Sequence, residues 1–438
     1  MTIIELFDNA PINNIIGALT LRPDKIIYIG SFSANTFNGK KYPVLRKYLD
    51  RKGLNSTAIE YVHIRRDSLI NIVDTLEEIY AENTDCRFNV EITGGEDLTL
   101  VAIGVLCQRH PELQFLRINS RTHKITSYSL LQSEEPVKSH VQFYNTVEDN
   151  IILHEAEIIN SNGSDSLEQS EWQFTEDFTA ALGILWEISC RGIADVDYTE
   201  YYPDHSYPNV WNRVTTALML FENFCESDCL FKIPEDRFRA LTERYCDFDL
   251  FNLYLRTFMD KNLITVYSED GYICIQFENE QLKNCLTKSG SVLELKTYLA
   301  CREMLNENNG DVRTGVTIYW GNENSCSQYD ANTINEVDVM ATHGVVPYFI
   351  SCKNGKFSAD ELYKLYSVGE RFGAGYSVKI VVTADIGFAL KEQKELILHR
   401  AADMGVKIIP NVHLMTDAEF KDALMKAMDL SAKAIATQ

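Results

Sequence analysis

Residues 335–361 gather side chains suited to phosphoester chemistry: Glu336, Asp338, Lys353 and Glu361. The stretch 335–355 reads as two short β-strands with a tight connection, placing Asp338 on the first and Lys353 at the end of the second. A carboxylate in that setting can hold a divalent cation. A lysine on the neighbouring strand can orient an attacking water or steady the charge that builds on a phosphate. Strand alternation puts Asp338 on the sheet face opposite Val337 and Val339, with Glu336 on its own side. One aspartate is too little for Mg2+ or Mn2+, which take oxygen ligands in near-octahedral geometry. Glu294 on a preceding helix, Glu361 on the helix after the lysine strand and the backbone carbonyl of Cys352 are the groups that can complete the set, with Glu336 in reserve. Ser351, two residues before the lysine, can hold a cation-bound water. Taken singly, Asp338 and Lys353 read as strand-end charges in solvent; the pairing on adjacent strands is what points to chemistry.

A second constellation lies near the N-terminus. Thr93, Gly94, Gly95, Glu96 and Asp97 follow a predicted strand over 87–92 and open a predicted helix over 96–108. Such a turn offers free backbone N–H groups and the positive end of a helix dipole, and paired glycines let a ligand come close. Glu96 and Asp97 repel phosphate unless they stabilise the helix start or meet ribose or adenine instead. Ser31, Phe32 and Ser33 follow the strand predicted over 25–31 in the same way. The carboxyl ends of parallel strands are where such sheets bind ligands. The chain contains neither G-x-G-x-x-G nor G-x-x-x-x-G-K-[ST], so the ordinary dinucleotide and nucleoside-triphosphate fingerprints are excluded.

The elements that must position these residues fall into three blocks. Residues 1–130 alternate strands (25–31, 57–64, 87–92, 113–118) with helices (44–49, 69–79, 96–108), the rhythm of a Rossmann-like parallel sheet. Residues 160–166 are small, polar and acidic, as in a linker. From 172 to about 286 the pattern is mostly helical, with an amphipathic helix over 250–261 and a hairpin over 263–277 turning at Glu269-Asp270-Gly271, which suggests a winged-helix-like segment. A helix from 290, strands at 316–320, 336–341 and 348–352, a helix over 359–372 and strands at 378–383 and 406–409 give the order of a restriction-endonuclease-like core. The expected division is 1–155, 170–288 and 289–438, an α/β class throughout the two ends.

The net charge of −22 opposes phosphate binding, but −15 of it falls between residues 151 and 290, leaving both ends nearly balanced. The acidic middle is therefore a poor groove binder and reads first as a spacer or dimerisation element. Eleven scattered cysteines, an odd number, point to reduced thiols. Cys225 and Cys229 stand alone as a C-x3-C and read as ordinary cysteines, because a zinc site needs four ligands. With no membrane-length apolar run and no signal-peptide pattern, the cytoplasm is the expected compartment.

The Asp338–Lys353 arrangement resembles the PD-(D/E)xK nuclease pattern, with Ser351 in place of the usual acid. The chain as a whole resembles the CARF-domain nucleases that accompany type III CRISPR systems, the CRISPR ancillary nucleases. The resemblance rests on residues 14–19, 92–98, 290–294, 338–353 and 361–373 in the expected order. It implies a homodimeric sensor that binds cyclic oligoadenylate, cyclic tetra-adenylate foremost, through Ser31, Phe32, Ser33, Thr93, Gly94, Gly95, Glu96 and Asp97. It further implies a Mg2+- or Mn2+-dependent nuclease for DNA, RNA or both, with Asp338 and Lys353 catalytic and Glu294 assisting. The competing expectation is a ligand-gated regulator whose middle segment binds DNA and whose last core does not cut.

Overall fold

The computed structural model describes residues 1–83, 88–119, 124–131, 137–140, 144–159, 172–194, 196–201, 207–305, 310–320, 334–355, 357–384 and 391–430. The linker expected at 160–166 lies outside them. Three sheets organise the chain. The first has seven strands, β1 (Thr2–Leu6), β2 (Lys25–Gly30), β3 (Ala58–His63), β4 (Phe88–Glu91), β5 (Gln114–Asn119), β6 (Lys124–Ser129) and β7 (Val137–His140), in the order β3-β2-β1-β4-β5-β6-β7. β1 to β5 run parallel, and β6 and β7 extend one edge antiparallel. Helix Tyr42–Arg51 packs against the face carrying Ile3, Ile26 and Tyr28. Helices Leu69–Glu82 and Asp97–Arg109 cover the opposite face, with Ile4 and Ile27.

The strand at the centre of the parallel part of this sheet, β1, is absent from the sequence expectation. Glu5 interrupts its apolar run, yet all five residues are buried. The antiparallel edge, β6 and β7, is a second addition. The order reverses between β1 and β4, the topological switch point at which parallel sheets form a ligand crevice.

A short helix, Val147–Leu153, and a two-residue strand, β8 (Glu157–Ile158), follow. The middle of the chain places helices Glu176–Arg191, Tyr207–Leu220, Glu235–Thr242, Phe248–Asp260 and Glu280–Thr287 around a small antiparallel sheet. Its strands β9 (Cys225–Ser227), β10 (Leu230–Pro234), β11 (Ile264–Glu269) and β12 (Tyr272–Phe277) lie in the order β11-β12-β10-β9. Asp270 and Gly271, both with positive φ (50° and 81°), make the tight turn between β11 and β12. Nine cysteines lie among the described residues, and none of the nine is in a disulfide.

The last sheet contains β13 (Gly310–Tyr319), β14 (Ile334–His343), β15 (Val346–Lys353), β16 (Val378–Thr383) and β17 (Val406–Ile409), in the order β17-β16-β15-β14-β13-β8. β8, β13, β14 and β15 pair antiparallel, while β15, β16 and β17 are parallel. Helix Ser291–Met304 packs on one face with Val339, Ile350 and Ile380, in a core continuous with Trp211 and Phe258 of the middle segment. Helix Ala359–Gly373 packs on the other with Met340, Phe349 and Val381.

The first and last sheets meet directly. Val345, in the turn between β14 and β15, is fully buried in the core of the first sheet. Asn145 N–H donates to the Gly344 carbonyl at 2.7 Å, and Thr342 Oγ1 donates to the Asn145 carbonyl at 2.5 Å. Tyr376 Oη donates to Asn13 Oδ1 at 2.6 Å. No helix among the described residues is long and apolar enough to cross a membrane.

Candidate active site and ligand site

The placement of Asp338 starts from an irregularity in two strands at once. β14 pairs with β15 only from Val339–Ile350 to His343–Val346. On its other side the register runs Thr314–Val339 and then Val316–Val337, with no pair at the intervening level. Gly315, at that level, has φ +60°, a left-handed conformation open to glycine without steric cost. The alternation of β14 breaks there. Val337 belongs to the core under helix Ala359–Gly373, and Val339 to the core under helix Ser291–Met304. The expectation that both valines lie opposite Asp338 is therefore wrong: the break separates them and leaves Asp338 at the point where β14 and β15 part.

The Asp338 carboxylate fills the gap. Its Oδ2 accepts the Cys352 backbone N–H at 2.6 Å and the Ser351 hydroxyl at 3.2 Å. Thr314 Oγ1 donates to the Asp338 carbonyl at 3.1 Å. Lys353 Nζ lies 3.9 Å from Asp338 Oδ2 and 3.1 Å from Glu361 Oε2, while Glu361 Oε1 meets Lys364 at 3.0 Å. Burial works against the charge on Lys353, but Asp338 and Glu361 outweigh it and hold the ammonium above the ordinary lysine value. Burial likewise pushes Glu361 up, and Lys364 and Lys353 pull it below the ordinary carboxylate value. Glu361 thus pairs with Lys353 and lines the same cavity as Ser351 and Asp338. Ser351 donates to Asp338.

Glu294, half-buried in the first turn of helix Ser291–Met304, is pushed up to about 8, first by burial and then by the negative charges of Asp338 and Glu336. Glu336 is exposed and lines, with Asp338, Ser351, Lys353 and Glu361, a cavity of about 70 Å³. Among the described residues no group of three or more His, Cys, Asp or Glu is gathered as a metal cage. Glu294, whose proton affinity is raised by burial and by the neighbouring charge of Asp338, does fit with Asp338 a hard cation of the Mg2+ kind, which takes one or two protein carboxylates and fills the rest with waters and substrate phosphate.

At the other end, the Ser31–Ser33 and Thr93–Asp97 segments come together at the carboxyl ends of β2 and β4, flanking β1. Ser31 Oγ donates to Glu96 Oε1 at 3.1 Å and ties the two together. Glu96 occupies the N-cap position of helix Asp97–Arg109 without a side-chain cap bond. Ser33 caps the next turn, accepting Thr36 N–H at 3.2 Å. The Phe32 carbonyl accepts Tyr61 Oη and meets His63 Nδ1, each at 2.9 Å. The backbone donors of the glycine turn are less free than expected: Thr93 N–H is held by Glu91 Oε1 at 2.8 Å and Gly95 N–H by Asp8 Oδ2 at 3.1 Å. The turn must be glycine regardless. Gly95 has φ +103°, and a Cβ on Gly94 would stand 2.9 Å from Asp8 Oδ2.

Sequence reasoning missed Asp8, Asn13 and Asn14, which knit the loop after β1. Asp8 accepts Ala10 N–H at 2.8 Å and Asn13 Nδ2 at 3.3 Å, and Asn14 brackets the Asp8 backbone from both sides. The signal was there in Asp8-Asn9-Ala10-Pro11, turn residues directly after an apolar run. It also missed the buried acids beneath. Glu5 and Glu91 are register partners on β1 and β4, 0% and 1% exposed. Burial pushes Glu91 up to about 7 and Glu5 well above the ordinary range, where the charge of Glu91 adds to the effect.

These features define an α/β protein in which a parallel sheet with a loop-lined switch point, a small winged segment and a mixed sheet with a lysine–carboxylate cluster follow one another. Scans against protein-family models and curated proteins return no match. Solved structures share the whole architecture. Protein VC1899 from Vibrio cholerae superposes with a TM-score of 0.68 at 16% identity, over 99% of this chain and 98% of that one. Can2 from Sulfobacillus thermosulfidooxidans, solved in complex with cyclic tetra-adenylate, superposes with a TM-score of 0.65 at 14% identity, over 98% of this chain and 99% of its own. The chain has the fold of these two proteins from end to end.

Proposed function

We propose that this chain is a metal-dependent nuclease switched on by a cyclic oligoadenylate, working as a homodimer in type III CRISPR defence. The observation that carries the reading is Asp338, held by the Cys352 N–H where β14 and β15 part and standing 3.9 Å from Lys353. The fold shared with Can2, a protein solved with cyclic tetra-adenylate, supports a messenger site at the carboxyl ends of β1, β2 and β4. The sensor is assigned to residues 1–155, the connecting segment to 170–288 and the nuclease to 289–438. A ring with rotational symmetry suits a two-fold seam, where each protomer offers one copy of the Ser31–Ser33 and Thr93–Asp97 loops. Messenger binding shifts activity through a difference in affinity between two arrangements of the dimer.

At the active site, Asp338, Glu294 and the Cys352 carbonyl would hold Mg2+ or Mn2+, which when bound supplies an acidified water and neutralises phosphate charge. Lys353 stays protonated, so it acts as a fixed cation toward the phosphate and the nucleophile and not as a proton acceptor. Glu361 and Asp338 hold it from two sides, and Ser351 orients the free lone pairs of Asp338.

A plasmid-nicking and labelled-RNA assay with Mn2+, with and without cyclic tetra-adenylate, tests the reading; cleavage that needs both additions is expected. A sequence-specific gel shift without cleavage would instead establish the regulator reading, which Ser351 and the winged middle sheet favour and the acidity of that segment opposes.

A further inference from the structure

One cavity outside both sites combines aromatic rings with arginines. It encloses about 350 Å³ between the segment entering the middle block and the last sheet, lined by Trp172, Phe174, Tyr298, Arg302, Arg313 and Thr314 among others. Phe174 and Tyr298 stack at 5.0 Å between centroids and 29° between planes. The Arg302 guanidinium lies 5.1 Å from the Phe174 centroid and 5.5 Å from that of Tyr298. Trp172, half-buried, is backed by Phe178 at 5.8 Å, and Arg313 is steadied by Asp311 at 3.1 Å. Arg302 is exposed, and among the described residues no carboxylate pairs with it. In a chain of net charge −22, two guanidiniums beside three aromatic rings are a local reversal of character.

Its position links it to the cleavage centre. Glu294, Tyr298 and Arg302 recur at i, i+4 and i+8 along helix Ser291–Met304, one stripe spanning about 12 Å at 1.5 Å per residue. Thr314, which lines the cavity, donates to the carbonyl of Asp338. Through Thr314 the wall of this cavity is joined to the backbone that carries Asp338. Aromatic faces accept any unstacked base, and guanidinium forks grip phosphate.

Resting on the nuclease reading above, we propose that this cavity is a substrate subsite that takes one unstacked base and its phosphate from a single-stranded nucleic acid. The base stacks on Trp172 or Phe174, and Arg302 with Arg313 meets the phosphate. A paired duplex cannot enter, because its bases are stacked on each other. The competing role for the same contacts is a clamp that braces residues 172–174 against helix Ser291–Met304.

The test uses the full chain carrying Lys353→Ala, saturated with cyclic tetra-adenylate and Mn2+. Its binding to fluorescent oligodeoxythymidylate and oligouridylate of about twelve nucleotides is read by anisotropy. Stacking worth about 1–3 kcal/mol per base predicts that Trp172→Ala weakens binding roughly 5- to 150-fold. Trp172→Phe keeps both the packing and a stackable ring, and should stay within about threefold of the parent. Arg302→Gln should weaken binding and lower the salt slope by about one. Unchanged affinity in both Trp172→Ala and Arg302→Gln, or binding of a duplex alone, overturns the subsite. Failure of the unmutated chain to cleave would strike the nuclease reading instead, and the binding series would still be scored independently.

Discussion

Replacing Glu91 by Gln probes the buried acid that holds the Thr93–Asp97 turn. Glu91 is 1% exposed and takes the Thr93 N–H and hydroxyl on one oxygen, while burial raises it from 4.5 to about 7. Between those two values the folded chain keeps a proton that the unfolded chain releases. The contribution of Glu91 to stability is therefore fullest below pH 4.5, falls as pH rises and is lost above pH 7. At about 1.4 kcal/mol per pH unit, the loss amounts to about 3 kcal/mol. Glu5, raised in the same sense, adds to the slope. In Glu91→Gln the amide oxygen still accepts from Thr93, so the turn survives, but the titration disappears. The buried amide adds a pH-independent cost of about 1–3 kcal/mol, so the slope and not the height is the readout. Thermal melts of the full chain from pH 5 to 8.5 should show a falling midpoint that flattens in the variant. An equal slope in both proteins would refute the reasoning.

Lys353→Ala should cut cleavage by at least about a hundredfold, while calorimetric titration with cyclic tetra-adenylate is unchanged; retained cleavage removes Lys353 from the chemistry. Glu294, at about 8, is largely protonated at neutral pH without a cation, so Mn2+ should raise the melting midpoint at pH 7–8 in the parent and do so less in Glu294→Gln. A cation effect identical in both would exclude Glu294 as a ligand. Gly315→Ala meets no steric obstacle but must hold φ at +60°, costing about 1–2 kcal/mol. Cleavage should fall more than tenfold as Asp338 loses its placement, and an unaltered rate would show that the break in β13 does not position the acid.

Much of the last sheet was legible because its strands are short apolar runs bounded by turn residues, and Asp338 and Lys353 stand out against them. The consequences of Gly315 were not legible: one left-handed residue on β13 reverses the face of the partner strand, and no periodicity in β14 announces it. β1 escaped because Glu5 looks like a surface residue; only the pairing with β4 explains why it is inside. The Thr93–Asp97 turn was visible as a glycine pair after a strand. That its N–H groups serve Glu91 and Asp8 depends on residues far away in sequence, and so does the placement of Glu361 on Lys353.

The two-residue strand β8 bears on how this molecule can be taken apart. Ile158 pairs with Ile318, and Val147 and Ile151 just before it fill the interior beneath Phe349 and Val381. A fragment begun at residue 289 would therefore lack its own edge strand and part of its filling. Grafting the last sheet onto another protein would have to carry residues 147–158 along, with the middle block looped out as an insertion between them. The same pairing closes only after some 160 intervening residues have been made, so the last sheet is the final part to become whole during synthesis.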